Sequence, residues 1–206
     1  MEAIRLLNKL DEENRMATPE EQSVLAQYVG WGGLKQAFDP NNDKWASEYQ
    51  ELKDLMEEGE YEKARRSILN SHYTSKTIVD GIWTAVKRFG FKSGSVLEPS
   101  MGTGNFFGLM PTSLRPGTTL TGVEFEPFTS KIAAHLYPKA EIHGNKGFQD
   151  VYIAPESIDL AVGNPPFGDE KLFDKSSKEL SKLRIHAYFF AKSIDTLRPG
   201  GILAMV

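Results

Sequence analysis

The sequence predicts an α/β protein in which a mainly parallel sheet carries helices on both faces, preceded by an α-helical extension. Two observations support this fold class. From residue 74 onward, short apolar runs of strand length alternate with segments of helical periodicity, a pattern typical of parallel sheets with crossover helices. Before that point, apolar residues recur at helical spacing. We therefore divide the chain into a helical extension, residues 1–70, and an α/β domain, residues 71–206.

The N-terminal extension carries a succession of helix signals. Four segments are predicted to be helices: 4–15, 18–29, 43–58 and 60–70. Apolar residues at helical spacing support the first and third of them. Thr18 begins a capping box with Pro19 at the first helical position, and Asp43 is suited to cap the third helix. Gly59 is predicted to separate the last two helices. We interpret the run Gly30-Trp31-Gly32-Gly33 as an interhelical turn in which the tryptophan is a packing anchor.

The α/β domain is predicted to begin with a helix that Thr74 caps and Gly90 ends. The apolar positions of this helix form one wide face: Ile78, Val79, Ile82, Trp83, Val86 and Phe89. Strands are predicted at 95–98, 119–124, 141–142, 158–162 and 201–206, and helices at 105–110, 127–136 and 184–197. Because the chain stops on an apolar strand, we expect the later strands of a complete doubly wound sheet to be missing.

Composition excludes several classes of protein. The 206 residues carry a net charge of −4 and include no cysteine, which excludes disulfides, thiolate metal sites and a cysteine nucleophile. Cytosine-C5 methylation requires such a nucleophile and is excluded as well. The four histidines show no metal-binding arrangement, so we expect no metal. No apolar stretch approaches the roughly 18 residues that span a membrane, and the N-terminus lacks a signal peptide's apolar core. We expect a cytoplasmic protein.

Charge is distributed unevenly along the chain. Residues 1–70 carry nine Lys and Arg against fifteen Asp and Glu, whereas residues 71–206 carry fifteen against thirteen. The acidic excess therefore lies in the extension, and the α/β domain is mildly basic. Net charge by itself argues only weakly against a nucleic-acid partner, because its distribution matters more.

A glycine-bearing turn follows the first predicted strand. It runs from Glu98 and Pro99 through Gly102 and Gly104 to a helix start, Asn105-Phe106. Glycines let backbone N–H groups approach a ligand at the positive end of a helix, and a carboxylate at the strand end can meet a ligand's ammonium group. The turn lacks the third glycine of the dinucleotide fingerprint, so we do not expect a pyrophosphate. A turn that only needs positive φ is the alternative.

An acidic residue, Glu124, closes the next predicted strand, 20 residues after Gly104. An acid at this position binds ribose hydroxyls in nucleoside-binding doubly wound folds, although exposed acids are also common at strand ends. The adjacent Phe125 is suited either to cover an adenine ring or to pack in the core.

The tetrapeptide Asn164-Pro165-Pro166-Phe167, here called the NPPF turn, follows the strand predicted at 158–162. Its prolines fix two φ angles and remove two backbone donors, which leaves a stiff turn with outward-facing carbonyls. Amide and carbonyl acceptors beside an aromatic platform suit a planar group that carries an NH2, such as the exocyclic amine of adenine. An ordinary proline-rich turn is the alternative interpretation.

Taken in order, these elements resemble the S-adenosylmethionine-dependent amino-methyltransferases, in particular the DNA adenine-N6 methyltransferases. The resemblance covers roughly residues 71–206 and includes Tyr73-Thr74, followed by Ser75 where a proline is usual. It implies a Rossmann-like methyltransferase fold, S-adenosylmethionine as cofactor, S-adenosylhomocysteine as product and DNA as partner. The cofactor contacts that it implies are Tyr73, Thr74, Glu98, Pro99, Gly102, Gly104, Asn105, Phe106, Glu124, Phe125, Phe148, Asp150 and Asn164.

The resemblance also implies that the NPPF turn is catalytic. The side chain of Asn164 and the carbonyl of Pro165 would accept the two amine hydrogens, Pro166 would stiffen the turn, and Phe167 would stack on a base rotated out of the duplex. These interactions would return electron density to a poorly nucleophilic nitrogen and align it with the methyl donor.

One position departs from the family's pattern. An Asp-Phe pair commonly holds the cofactor's adenine there, whereas in this chain Gly147 precedes Phe148. The phenylalanine can still pack on adenine, and Asp150 can reach the adenine amine from one turn later. If neither does so, we expect weak binding of the cofactor.

Four lysines follow the NPPF turn at spacings of 4, 3 and 4: Lys171, Lys175, Lys178 and Lys182. On a helix they would share one face. That face is either a solvated surface or a stripe that contacts DNA phosphates.

The segment around Gly30-Trp31-Gly32-Gly33 resembles one found upstream of the methylase region in large methylase–helicase fusions of phages and conjugative elements. This likeness implies further domains and a mobile-element or restriction-modification context. Two alternatives stay open: a methyltransferase for an RNA base amine or a protein glutamine amide, and a non-catalytic module that binds cofactor or DNA. The Tyr73-Thr74 element and the glycine run favour DNA, whereas Gly147 and the missing strands favour the non-catalytic module.

Overall fold

A single parallel sheet forms the centre of the molecule. The computed structural model describes residues 1–68 and 74–206. Within them five strands pair in the order β3-β2-β1-β4-β5, and every pairing is parallel. The strands are β1 (Ser95–Glu98), β2 (Thr119–Glu124), β3 (Glu141–Gly144), β4 (Ile158–Gly163) and β5 (Leu197–Met205). Strand order reverses at β1, which lies between β2 and β4, so the predicted α/β class is confirmed.

The described ranges contain eight α-helices. They are α1 (Glu2–Glu12), α2 (Pro19–Leu25), α3 (Ala46–Leu55), α4 (Glu58–Ser67), α5 (Lys76–Arg88), α6 (Asn105–Gly108), α7 (Pro127–Leu136) and α8 (Ile185–Thr196). Short 3-10 turns occupy Lys35–Phe38, Asp43–Trp45, Thr112–Leu114, Phe148–Asp150 and Leu180–Lys182.

Successive residues of the central strand β1 contribute to two apolar layers. On one face of β1, Val96 packs in a cluster with Val79 and Trp83 of α5. On the other face, Leu97 packs in a cluster with Tyr188 and Phe189 of α8. Because side chains alternate across a strand, one four-residue strand contributes to both layers. The sheet therefore has helices on both faces, as the sequence predicts.

The N-terminal helices pack against the α/β part through α7. Their core includes Leu7 and Leu25 together with Phe128 and Ile132 of α7. Trp31 is buried there, with its ring centroid 5.7 Å from that of Phe128. The packing role predicted for this tryptophan is confirmed, and the extension is held on the sheet domain by a shared apolar cluster.

Several helix boundaries differ from the predicted ones for local reasons. Gly59 lies in the first turn of α4, and the break before it comes at 56–57. Thr74 does not cap α5; Ser75 takes the N-cap position without a side-chain hydrogen bond. The apolar face of α5 is narrower than predicted, since Phe89 is 76% exposed and Ile78 is also exposed. None of the helices in the described ranges is long and apolar enough to cross a membrane.

Candidate active site

The predicted site residues meet at the carboxyl ends of β1, β2 and β4. A cavity of about 900 Å³ opens there, at the position where strand order reverses. Ligands of open α/β sheets bind at such a switch point, because loops from neighbouring strands diverge and leave a crevice. The NPPF turn follows β4 directly, and the glycine-bearing turn follows β1.

Most of the predicted site residues line this cavity. Those that do are Thr74, Glu98, Pro99, Gly102, Asn105, Phe106, Glu124, Phe125, Phe148, Asn164, Pro166 and Phe167. Gly104, Asp150 and Pro165 do not line it. Tyr73 lies outside the described residues.

Two glycines shape the turn after β1. Gly102 and Gly104 have φ values of 56° and 81°, in the left-handed region that favours glycine. The N–H of Gly102 donates to Glu124 Oε2 at 2.8 Å. A Cβ at Gly104 would lie 2.4 Å from the Tyr137 ring, so this glycine allows close packing, whereas Gly102 links the turn to the acid of β2.

Glu98 places a buried carboxyl group at the end of β1. Only 2% of the residue is exposed, and Oε2 has no hydrogen-bond partner among the described residues. Burial, reinforced by the nearby charge of Glu124, raises the pKa of Glu98 well above its usual range. An unpartnered buried carboxyl oxygen is costly, and it fits a site that receives a cationic or hydrogen-bond-donating ligand group.

Glu124 presents a carboxyl group at the end of β2. Besides the Gly102 N–H, it accepts the N–H of Glu126 at 2.8 Å. Burial raises the pKa of Glu124 to about 7, although these backbone hydrogen bonds act in the opposite direction. The carboxylate is thus fixed in orientation and titrates near neutral pH.

The NPPF turn is anchored to the turn after β1. The Ser100 hydroxyl donates to the backbone carbonyl of Asn164 at 3.0 Å. Pro165 is buried, whereas Phe167 is 58% exposed at the cavity. The turn is therefore fixed at its first residue and offers an exposed aromatic ring at its last.

Phe148 supports the cavity wall from beneath. It is fully buried and lies 5.4 Å from Phe189, between ring centroids. Lys192 Nζ donates to its carbonyl at 2.7 Å. The side chain of Asp150 is exposed, whereas its neighbour Gln149 lines the cavity.

Some cavity residues were not anticipated from the sequence. Arg65, Arg66 and Ser67 reach the cavity from the last turn of α4, and Lys146 and Gln149 reach it from the loop after β3. Basic residues in a last helical turn commonly complement the helix dipole, so their position carried no distinctive signal. The predicted absence of a metal ligand cluster can be compared only with the described residues, which show no such group.

The four lysines after the NPPF turn do not lie on one helix. Lys171 lies in a β-bridge with Arg184, and the only helical turn in this stretch is Leu180–Lys182. The loop instead folds around the buried Asp174, which accepts hydrogen bonds from Tyr188 and Lys192 of α8 at 2.5 and 3.0 Å. The four lysines are exposed but share no helix face.

Comparison with known proteins identifies the fold. No family model matches the chain. A protein from Listeria monocytogenes assigned to the class I S-adenosylmethionine-dependent methyltransferases has a TM-score of 0.53 and 15% identity, covering 98% of this chain and 72% of that one. The fold is that of the S-adenosylmethionine-dependent methyltransferases. A modification subunit assigned to a type I restriction enzyme of Vibrio vulnificus YJ016 has a TM-score of 0.51 and 17% identity, covering 78% of this chain and 39% of that one.

One curated relative aligns along the whole chain. Defense against restriction protein B of Escherichia phage P1 is 29% identical over 208 residues, and the alignment covers 99% of this chain. The chain spans about 8% of the length of that relative.

Proposed function

We propose that this chain transfers a methyl group from S-adenosylmethionine to the exocyclic N6 amine of adenine in DNA. One observation carries the proposal. The acids that end β1 and β2, and residues of both the glycine-bearing turn and the NPPF turn, line one cavity. Residues that suit a nucleoside thus lie in the same cavity as residues that suit an amine. The methyltransferase fold by itself does not define the substrate.

The first half of the cavity suits the cofactor. Glu98 offers a buried carboxyl oxygen without a partner among the described residues, which fits the ammonium group of the methionine part. Glu124, held by two backbone N–H groups, is suited to accept the two ribose hydroxyls. Phe125 lies beside it and is 45% exposed, so its ring is accessible to a base.

The second half suits an amine. When bound, the cofactor supplies an electrophilic methyl group. The chain has to supply alignment and acceptors. We assign one acceptor to the amide oxygen of Asn164, which lines the cavity, and the second to the Pro165 carbonyl on the resemblance alone, since Pro165 does not line the cavity. By accepting the amine hydrogens they increase electron density on nitrogen, and alignment of this kind contributes roughly 7–11 kcal/mol to lowering a barrier. The exposed ring of Phe167 is suited to stack on the target base.

Two observations favour DNA over RNA or protein. The names of the phage P1 relative and of the Vibrio vulnificus neighbour both refer to restriction, a process directed at DNA. Arg65 and Arg66 line the same cavity, and guanidinium groups are well suited to phosphate. RNA base amines and protein glutamine amides remain alternatives for the test below.

The test separates binding from chemistry. Calorimetry should detect binding of S-adenosylmethionine, and labelled methyl groups should enter adenine-containing DNA in preference to RNA or protein. Asn164→Ala should reduce incorporation by about 100-fold or more, because a transition-state acceptor is lost. Cofactor affinity should change by less than about tenfold, since that substitution leaves both acids in place.

An equivalent change away from the cavity serves as control. Asn41→Ala removes an exposed amide from an N-terminal turn and should leave incorporation unchanged. Absence of cofactor binding by the unmodified chain would refute the proposal, as would incorporation that survives Asn164→Ala.

A further inference from the structure

The backbone conformation of Gly147 does not require glycine. Its φ and ψ are −75° and 156°, an extended conformation that any L-residue adopts. What distinguishes the position is its surroundings. A Cβ built there would lie 2.2 Å from Gln149 Nε2 and 2.4 Å from Gln149 Oε1. The glycine therefore provides the space that the Gln149 carboxamide occupies.

The orientation of this carboxamide is set by Asp150. Gln149 Nε2 donates to Asp150 Oδ2 at 2.8 Å. An ionised carboxylate only accepts hydrogen bonds, so the amide must turn its nitrogen towards Asp150 and leave its oxygen on the other side. Among the described residues, no donor is hydrogen-bonded to Oε1, and Gln149 lines the cavity.

The loop that carries Gln149 is joined to the end of β2 by a backbone hydrogen bond, and Gln149 and Glu124 line the same cavity. The N–H of Lys146 donates to the backbone carbonyl of Glu124 at 3.2 Å, which joins the loop after β3 to the end of β2. A nucleoside whose ribose is bound by Glu124 can reach Gln149 with its base, because both residues line one cavity. Adenine then needs an acceptor for its exocyclic amine, and a buried donor without one is costly.

We propose that Gln149 Oε1 accepts a hydrogen bond from the adenine amine of the cofactor, that Asp150 is the positioning residue for the amide, and that Gly147 leaves room for it. This inference rests on the proposed function. It accounts for the glycine at a position where an acid was expected: the acceptor comes from a side chain two residues later. The exposed Asp150 acts on the ligand through Gln149.

Base selectivity tests the assignment without any activity measurement. Calorimetry compares S-adenosylhomocysteine with S-inosylhomocysteine, in which a carbonyl replaces the amine. The unmodified chain should prefer the adenine compound by about tenfold or more, because the carbonyl would face an amide oxygen that cannot donate. Gln149→Ala removes the acceptor and should reduce this preference to less than about threefold, a difference no larger than one weak hydrogen bond contributes.

A second variant displaces the same amide without changing Gln149 itself. Gly147→Ala keeps an allowed backbone conformation but displaces the Gln149 carboxamide, so it should lose selectivity in the same way. Gln50→Ala is the matched control. Like Gln149, Gln50 donates from Nε2 to an aspartate at 2.8 Å; its partner is Asp54, on an exposed helix away from the cavity. This control should keep the full preference.

The outcomes distinguish the two proposals. Loss of selectivity in both Gln149→Ala and Gly147→Ala, with Gln50→Ala unchanged, supports the assignment. If S-adenosylhomocysteine binds but Gln149→Ala keeps the preference for adenine, the assignment is overturned and the proposed function stands. If the unmodified chain binds neither compound, the proposed function fails and the assignment fails with it.

Discussion

Among single residues, Glu124 determines how pH should act on the cavity. Burial raises the pKa of its carboxyl group to about 7, so near neutral pH it is only partly ionised. In the role proposed for it, Glu124 accepts two ribose hydroxyls, which favours the ionised carboxylate, so binding of the cofactor should release a proton below this pH. We expect cofactor affinity to rise as pH increases from about 6 to 8, by up to about tenfold per unit on the acid side, and then to level.

Calorimetry in buffers of different ionisation enthalpy measures the proton release directly. Glu124→Gln cannot ionise and should weaken binding while removing most of the pH dependence; any remainder is expected from Glu98, whose pKa is also raised by burial. Glu12→Gln, on an exposed position of α1, is the control. Affinity independent of pH in the unmodified chain would contradict the role given to Glu124.

At the scale of elements, a buried ion pair fastens the loop after the NPPF turn to α8. Lys192 Nζ lies 3.0 Å from Asp174 Oδ2, and both side chains are nearly inaccessible to solvent. The same ammonium donates to the carbonyl of Phe148 at 2.7 Å. Burial opposes ionisation of Asp174, but hydrogen bonds from Ser176, Tyr188 and Lys192 outweigh it and hold its pKa below the usual range. One pair thus holds together the loop, the helix and the cavity wall.

Breaking this pair should be strongly destabilising. Lys192→Ala leaves a buried carboxylate without its cation, and we expect the free energy of unfolding to fall by about 3–5 kcal/mol. Urea denaturation measures the change. Lys182→Ala removes an exposed pair with Glu179 and should cost about 0–1 kcal/mol. A loss for Lys192→Ala as small as that of the control would show that the buried pair is not needed.

At the scale of the whole molecule, α7 joins the extension to the sheet domain. Its Ile132 lies in the cluster of the N-terminal helices, whereas its Ala133 lies in the cluster that packs on the sheet. Because one helix belongs to both cores, we expect the described parts to unfold as one cooperative unit. The division into separate domains 1–70 and 71–206 stays a prediction. Urea unfolding followed by tryptophan fluorescence tests whether the two parts unfold independently.

Trp31 and Trp83 report on the two cores separately, since one is buried in each. The chain has three tryptophans, and Trp45 also packs on the N-terminal core. In variants whose single remaining tryptophan is Trp31 or Trp83, fluorescence should give the same urea midpoint. Ile132→Ala should lower both midpoints together, at a cost of about 2–5 kcal/mol. Phe89→Ala, at a largely exposed position, should change the free energy of unfolding by less than about 0.5 kcal/mol. Two distinct midpoints would indicate independent domains.

The strands and helix caps could be predicted from the sequence because the patterns that produce them extend over only a few neighbouring residues. The bounds predicted for β1, β2 and α7 agree with the structure, since apolar runs and a proline at a helix start act over a few residues. The capping box at Thr18 is also present. The order of these elements also sufficed to predict that Glu98, Glu124 and the NPPF turn converge, because parallel strands end at one edge of a sheet.

Other features depended on residues far apart in the sequence. The lysine spacing would give one shared face only on a helix. Asp174 is instead held by Tyr188 and Lys192, 14 and 18 residues later, and burial of that carboxylate determines the path of the loop. Arg65 and Arg66 line the cavity only because α4 packs on α7.

By itself, then, the sequence determined the order of strands and helices, the chemistry at each strand end and the cavity where they meet. Only the tertiary structure decided which side chain stands where the expected acid is missing, how the loop after the NPPF turn is held, and that both cores share α7. Local periodicity and capping encode the first group. The second depends on burial and hydrogen bonds between distant residues, which only the folded packing brings together.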